Sequence, residues 1–148
     1  MVGPAPGVGK ESARPIRWPD FVYIGVSRAG STWLYQVLAE HPDIAMPRAK
    51  EIQFFDKNYH RGARWYGDFF AATPRGKLTG EIWHDYFLDA QVAGRMRAHC
   101  PGVKIIATLR EPADWAQSRW AWAREVEDVG GVALDEYVRR PGVVSTPE

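Results

Sequence analysis

Two spacings of apolar residues divide this chain into short alternating segments. Compact apolar runs rich in β-branched and aromatic residues predict strands. They lie at 21–26, 78–83 and 103–109, with a short strand or extended piece near 44–46 and a loop through 47–60. Apolar residues three and four positions apart predict helices between the strands. These helices lie at 31–40, 62–71, 89–99, 112–127 and, more briefly, 133–139. The alternation predicts an α/β fold with a central parallel sheet flanked by helices on both faces.

The segment after the first predicted strand has the composition of an anion-binding loop. The strand ends at Gly25, Arg28 and Gly30 lie in the loop, and Ser31 and Thr32 open the next helix. The orphan N–H groups and the dipole of such a helix N-terminus both favour a phosphate-like anion. An ordinary βα turn with a helix N-cap would have a similar sequence, so the loop alone leaves both interpretations open.

The spacing of this loop is that of a Walker A loop without its lysine. Gly25 and Gly30 have the separation of G-x-x-x-x-G-K-[ST], whereas Ser31 stands at the lysine position and Arg28 is the only cation within the loop. A kinase or NTPase needs that lysine on the β- and γ-phosphates beside Mg²⁺. The loop therefore indicates a donor other than ATP, with a P-loop kinase of a small metabolite as the alternative.

A second candidate anion contact follows the last predicted strand. Arg110 comes directly after 103–109, Pro112 suits the first turn of the next helix, and Ser118 lies further along that helix. Ligands of open parallel sheets bind at the carboxyl ends of the strands. We therefore expect Arg110 and Ser118 to close on the same edge as the first loop. Taken by itself, Arg110 would be an ordinary solvated charge.

Together these segments resemble the sulfotransferases that use 3′-phosphoadenosine 5′-phosphosulfate (PAPS). The 25–33 loop is similar to the one that holds the 5′-phosphosulfate, and 109–112 with Ser118 is similar to the motif that holds the 3′-phosphate. The segments that resemble the heparan-sulfate branch and its bacterial relatives are Lys50–Asp56, Tyr59–Gly62 and Trp65–Tyr66. The resemblance runs from about Phe21 to Trp122 and implies a three-layer, P-loop-like fold.

The resemblance assigns roles to individual residues. The residues that it places against PAPS, or against the product PAP, are Gly25, Ser27, Arg28, Ala29, Gly30, Ser31, Thr32, Trp33, Arg110 and Ser118. It implies that Arg28 stabilises the leaving phosphate and that Glu51 is the general base for an acceptor hydroxyl or amine. A surface ion pair with Lys50 or Lys57 is the alternative for Glu51. No metal is implied, because PAPS has no γ-phosphate to clamp.

Two positions depart from the family pattern. The loop cation is usually lysine, and Arg28 replaces it with a planar guanidinium that hardly ever loses its proton. The segment 80–86 resembles a third motif of the heparan-sulfate branch, in which a lysine follows the glutamate, but here Ile82 follows Glu81. This departure weakens the resemblance to that branch more than the resemblance to sulfotransferases in general.

The composition is that of a globular chain of 148 residues with a net charge of +1, which gives no indication of a nucleic-acid or membrane partner. Cys100 is the single cysteine and is expected to be structural, and no histidine or cysteine pair has metal-ligand spacing. Residues 1–20 are predicted to be a flexible lead-in without a signal peptide or membrane span, which favours a cytoplasmic enzyme. Residues 21–148 are predicted to be the sulfotransferase domain.

The resemblance also implies a further C-terminal part that carries another donor-binding loop. The chain is therefore predicted to be the N-terminal portion of such a domain. The partners that we expect are PAPS or PAP and a carbohydrate or small-molecule acceptor, while the oligomeric state is not indicated. A non-catalytic PAPS- or PAP-binding fragment and a plain structural domain are the remaining alternatives.

Overall fold

The computed structural model of the chain describes residues 15–127, 130–140 and 143. These residues form two compact units, one that ends at Thr108 and one that begins at Leu109. The first unit contains the sheet and the 25–32 loop, and the second contains the last two helices.

A three-stranded parallel sheet forms the centre of the first unit. Its strands are β1 (Phe21–Gly25), β2 (Gly80–Ile82) and β3 (Lys104–Ala107), in the order β2-β1-β3. Phe21 pairs with Gly80 on one side and with Lys104 on the other. The two crossovers run in opposite directions along the sheet, so right-handed connections place their helices on opposite faces. The predicted α/β fold with a flanked parallel sheet is confirmed.

Three helices of the first unit follow the predicted order. They are α1 (Ser31–Glu40), α2 (Gly62–Asp68) and α3 (Ala90–His99), with 3₁₀ turns at Tyr59–Arg61 and His84–Leu88. Ile44 forms an isolated parallel bridge with Leu78 at the predicted extended piece.

Helix α2 is shorter than predicted from its apolar spacing. The prediction extends it to residue 71, but the amide of Phe69 bonds to Tyr66 O (3.2 Å) and that of Phe70 to Gly67 O (3.0 Å). Both bonds span three residues, so the chain tightens into 3₁₀-type turns after Asp68 while the apolar pattern continues.

An aromatic cluster packs against the sheet and fixes the segment after residue 50. The cluster is formed by Val22, Ile52, Phe54, Phe55, Tyr66, Phe70, Trp83, Tyr86, Val92, Met96 and Cys100. The rings of Phe54 and Tyr66 stack with their centroids 4.3 Å apart. Three members, Ile52, Phe54 and Phe55, are at most 1% exposed and lie in the predicted loop. This loop is therefore part of the core rather than a surface connection.

The end of the predicted lead-in makes ordered contacts with the first unit, while residues 1–14 lie outside the described residues. The Trp18 ring stacks on His99 with centroids 4.9 Å apart. The amide of Asp20 donates to Thr79 O (2.8 Å), and the Thr79 amide donates to the Asp20 carboxylate (2.9 Å). These contacts place residues 15–20 on the core of the unit.

The second unit consists of α4 (Pro112–Val126) and α5 (Leu134–Val138), close to the predicted bounds. Helix α4 begins with a proline, and the Glu111 side chain accepts the Asp114 amide at 2.9 Å as its cap. The Trp120 indole donates to Val132 O at 2.9 Å, beside the connection to α5. Within the described part of the chain, no helix has both the length and the apolar character needed to cross a membrane.

Candidate functional site

The loop between β1 and α1 begins and ends with glycines that no other residue would replace without strain. Gly25 has φ 141°, and a Cβ atom there would lie 2.3 Å from the carbonyl oxygen of His84. Gly30 is the N-cap of α1 with φ 93°, and no atom lies within 4 Å of a Cβ built on it. The loop therefore packs closely at its start and is open at the helix N-terminus.

Tyr23 of β1 and Thr108, which directly follows β3, hold the loop in place. The Thr108 hydroxyl donates to Ala29 O (2.8 Å), and Tyr23 Oη lies 2.6 Å from Thr108 Oγ1 and 3.1 Å from Val26 O. The Val26 amide donates to Thr108 O (3.0 Å), and the Thr108 amide donates to Gly25 O (3.0 Å). Because so many groups fix its backbone, the loop is preorganised rather than formed on ligand binding.

The polar residues of the loop lie where an anion site needs them. Arg28 is exposed with φ 58°, and Ser31 is 8% exposed in the first turn of α1, next to Thr32. No described side chain caps the helix, and its first turn contains no acidic residue. The N-terminal amides and the positive end of the helix dipole therefore face no capping carboxylate. Trp33, which is 66% exposed, lies on the outer side of the same turn.

A lysine connects this loop to the predicted base. Lys50 Nζ lies 3.0 Å from Thr32 Oγ1 and 2.9 Å from Glu51 Oε1. The Lys50 and Glu51 side chains are 24% and 35% exposed. The ion pair that we considered as the alternative for Glu51 is thus present, but the same ammonium also reaches the anion-binding loop. The structure brings Glu51 to the edge at which Ser31 and Thr32 lie.

The backbone that carries Glu51 is held in an uncommon conformation. Glu51 has φ 63° and Gln53 has φ 59°, a region that non-glycine residues seldom occupy. The Gln53 amide donates to Glu81 Oε1 (2.8 Å), and the Asn58 side chain donates to Ile52 O (2.9 Å). Such conformations persist only where the surroundings over-determine them, and they concentrate at functional sites.

Glu81 lies on β2 and is 1% exposed. Its carboxylate accepts the Tyr66 hydroxyl (2.6 Å) and the Tyr86 hydroxyl (3.0 Å) as well as the Gln53 amide. Burial raises the pKa of Glu81 to about 7, although these hydrogen bonds partly counteract it. Burial, with the charge of Glu81, raises the pKa of both tyrosines well above 10, so their hydroxyls remain donors. Glu81 is therefore the fixed anchor beneath the 51–53 segment.

The remaining predicted donor contacts, Arg110 and Ser118, lie in the second unit. Arg110 is exposed in the connection before α4, and Ser118 lies partly buried on α4 itself. Their part in binding the 3′-phosphate stays a prediction.

Cys100 is buried at the end of α3. Burial and the nearby charge of Glu81 raise the pKa of its thiol to about 11, so the thiol is protonated and poorly nucleophilic. The expectation that it is structural agrees with this environment. Among the described residues, no group of three or more His, Cys, Asp or Glu side chains is arranged to hold a metal ion.

The sequence analysis missed three residues that shape the site. Lys50 was considered only as an ion-pair partner of Glu51. Its position directly before Glu51 in the sequence could have indicated that it also belongs to the site. Glu81 was a charge within an apolar strand pattern, which marks a buried and satisfied polar group. Thr108 had no local signal, because its contact with Ala29 joins residues 79 positions apart.

The comparisons with known proteins give the family to which this chain belongs. The family model of the sulfotransferase domain matches residues 18–140. The chain belongs to the sulfotransferase domain family.

Similar proteins include two that are named as heparan sulfate sulfotransferases. The chain is 36% identical over 130 residues to human bifunctional heparan sulfate N-deacetylase/N-sulfotransferase 3, which covers 82% of this chain and 15% of that protein. It is 35% identical over 100 residues to mouse heparan sulfate glucosamine 3-O-sulfotransferase 3B1, which covers 68% of this chain and 25% of that protein. The chain thus spans a quarter or less of the length of these two relatives.

The fold also matches a solved bacterial structure. The crystal structure of a sulfotransferase from Alicyclobacillus acidocaldarius superimposes with a TM-score of 0.71 at 25% identity, over 83% of this chain and 56% of that chain. The match agrees with the parallel sheet and flanking helices described above.

Proposed function

We propose that the chain provides the donor site and the general base of a sulfotransferase that transfers the sulfuryl group of PAPS to a hydroxyl or amine of a carbohydrate or small-molecule acceptor. The two similar proteins above are named as sulfotransferases of heparan sulfate, which supports a sugar as the acceptor. The groups in and beside the loop suit the donor: the backbone amides, the Ser31 and Thr32 hydroxyls and the cations Arg28 and Lys50 can neutralise a phosphosulfate.

One observation carries this proposal. Lys50 Nζ lies within hydrogen-bond distance of both Thr32 in the anion-binding loop and the carboxylate of Glu51. An anion site alone would fit a binding protein, and a surface glutamate alone would fit an ion pair. The Glu51 carboxylate is joined to this anion site by Lys50. It is therefore placed to take the proton of the hydroxyl group that attacks the sulfuryl donor.

The reaction requires one bond to break and one to form at sulfur. PAPS supplies an activated sulfuryl group, whose bond to the 5′-phosphate oxygen breaks as a bond to the acceptor oxygen or nitrogen forms. Glu51 takes the proton of the acceptor, and the products are PAP and the sulfated acceptor. The Ser31 and Thr32 amides follow a loop whose backbone is fixed before binding, and together with Arg28 they stabilise the charge that develops on the leaving phosphate.

The donor assignment is tested by calorimetric titration of the unchanged chain with PAP, with ATP and with ATP plus Mg²⁺. Tight PAP binding without Mg²⁺ supports the proposal, whereas a preference for ATP with Mg²⁺ supports the kinase. Sulfur-labelled PAPS is then incubated with N-deacetylated heparosan and heparan sulfate. Label transfer identifies an enzyme, and PAP binding without transfer to any acceptor identifies a non-catalytic binding fragment.

We predict that Arg110→Ala weakens PAP binding about ten- to a hundredfold. A lost charge-assisted contact costs roughly 1.5–3 kcal/mol, which corresponds to that range. Adenosine 5′-monophosphate, which lacks the 3′-phosphate, is the matched ligand, and its affinity should be the same for both proteins. Equal PAP affinity in the two proteins would show that Arg110 does not bind the 3′-phosphate.

A further inference from the structure

Lys50 occupies a position that its visible partners do not explain. Its ammonium donates to Thr32 Oγ1, and Thr32 is the second residue of α1. The N-terminus of a helix carries partial positive charge, so cations stabilise the opposite end and are unfavourable here. The lysine is thus held at a place where its charge opposes the helix dipole.

The pair with Glu51 offsets only part of this cost. A partly exposed lysine–carboxylate pair contributes little to stability, because solvent screens it. Ordering a long lysine side chain costs more rotamer entropy than such a pair returns. With only these contacts, the ammonium would gain little by remaining at Thr32. An anion bound at the start of α1 would reverse the balance, because both the ammonium and the helix N-terminus would then face negative charge.

The backbone that presents Lys50 is fixed independently of the lysine. The next residue, Glu51, has positive φ, and Ile52 after it is fully buried. The Gln53 amide is held by Glu81, and the Phe55 amide donates to the Tyr86 hydroxyl at 3.0 Å. The lysine therefore extends toward Thr32 from a rigid base, which is the arrangement expected of a preorganised ligand-binding cation.

We propose that Lys50 is a donor-contacting catalytic residue whose ammonium binds the 5′-phosphosulfate and supplies the lysine charge that the 25–32 loop itself lacks. This inference rests on the proposed function. Lys50 comes from outside the loop and supplies the compact, mobile point charge that the broad guanidinium of Arg28 does not. Because the same ammonium pairs with Glu51, donor binding and the orientation of the base are coupled through one side chain.

The experiment compares Lys50→Met with the unchanged chain in calorimetric titrations. Methionine keeps most of the apolar stem and removes the charge, and thermal unfolding checks that both proteins are folded. We expect PAP to bind about ten- to a hundredfold more weakly to Lys50→Met. Adenosine 3′-monophosphate, which lacks the 5′-phosphate, should bind equally to both. Lys50→Arg, which restores the charge, should recover most of the PAP affinity.

The matched control is Lys57→Met. Lys57 lies on the same segment, but its ammonium is 4.8 Å from the centre of the Trp83 ring instead of at the loop. It tests whether any lost positive charge weakens PAP binding. Equal losses from both lysines, or an unchanged PAP affinity in Lys50→Met, would overturn the inference and leave the proposed function intact. No PAP binding by the unchanged chain would overturn both.

Discussion

Glu51 and Glu81 are the same side chain in two opposite environments. The Glu51 side chain is 35% exposed and pairs with Lys50, whereas Glu81 is 1% exposed and accepts two hydroxyls and an amide. The two are linked through Gln53, which follows Glu51 by two residues and donates its amide to Glu81. A substrate can meet the first carboxylate and cannot reach the second. The comparison separates the residue suited to chemistry from the residue that holds it in place.

The contrast between Glu51 and Glu81 also shows that a perturbed pKa does not always locate a catalytic residue. Strongly perturbed pKa values often mark catalytic acids and bases, because both arise from burial and charge partners. In this chain Glu81 is a carboxyl group with a raised pKa, and its burial in the aromatic cluster causes the shift. We propose Glu51 as the base instead, because it is partly exposed and pairs with the lysine that reaches Thr32. Here the carboxyl group with the raised pKa, Glu81, holds the backbone segment that carries Glu51.

The largest expected effect is the loss of stability on Glu81→Ala. The change leaves the Tyr66 and Tyr86 hydroxyls and the Gln53 amide without their shared acceptor. We expect the free energy of unfolding to fall by about 3–5 kcal/mol, since each buried unsatisfied group costs about 1–3 kcal/mol and local relaxation recovers some of this.

Urea unfolding followed by tryptophan fluorescence measures this loss. Glu51→Ala is the matched control, and it should cost less than about 1 kcal/mol because its ion pair is partly exposed. Similar losses of unfolding free energy in the two variants would contradict the assignment of a structural role to Glu81 but not to Glu51.

The second largest expected effect is on the rate of sulfuryl transfer. Glu51→Gln should lower turnover about a hundredfold or more, the usual contribution of a general base, because the amide cannot accept the proton of the acceptor. Its unfolding free energy should change little, and its PAP affinity should be no weaker than that of the unchanged chain. The measurement is label transfer from PAPS to whichever acceptor the unchanged chain sulfates. Near-normal turnover in Glu51→Gln would exclude Glu51 as the base.

The sequence predicted the elements well where local patterns determine them. Helix α1 is observed at its predicted bounds, because its apolar spacing and the preceding glycine both specify them. The predicted strand at 103–109 is shorter in the structure, since β3 ends at Ala107, where its pairing with Gly25 ends. The roles of the loop and of Glu51 were predicted from contiguous motifs and stay predictions.

The contacts that bring the site residues together could not be predicted from local sequence patterns. Lys50 meets a hydroxyl 18 positions earlier, and the Gln53 amide meets a carboxylate 28 positions later. Both contacts depend on how the sheet brings β2 and the start of α1 beside the 50–53 segment. Positive φ at Glu51 and Gln53 likewise follows from burial of the apolar residues between and after them, because neither residue type favours that conformation.

The smallest expected effect is a pH dependence that belongs to Glu81 alone. Burial raises the pKa of Glu81 from 4.5 to about 7 in the folded chain, while the unfolded carboxyl titrates near 4.5. Between these values the folded chain binds more protons than the unfolded chain, so the free energy of unfolding decreases as the pH rises through this window. The Glu81 contribution is on the order of 1–3 kcal/mol.

The test compares the unchanged chain with Glu81→Gln. Glu81→Gln cannot titrate at this position, so the stability difference between the two proteins isolates the contribution of Glu81 from that of all other groups. We expect the unchanged chain to lose stability relative to Glu81→Gln between pH 5 and about 7, and the difference to become constant at higher pH. A difference that stays constant across this range would show that the hydrogen bonds from Tyr66 and Tyr86 outweigh desolvation and keep the buried carboxylate ionised, as an exposed glutamate is.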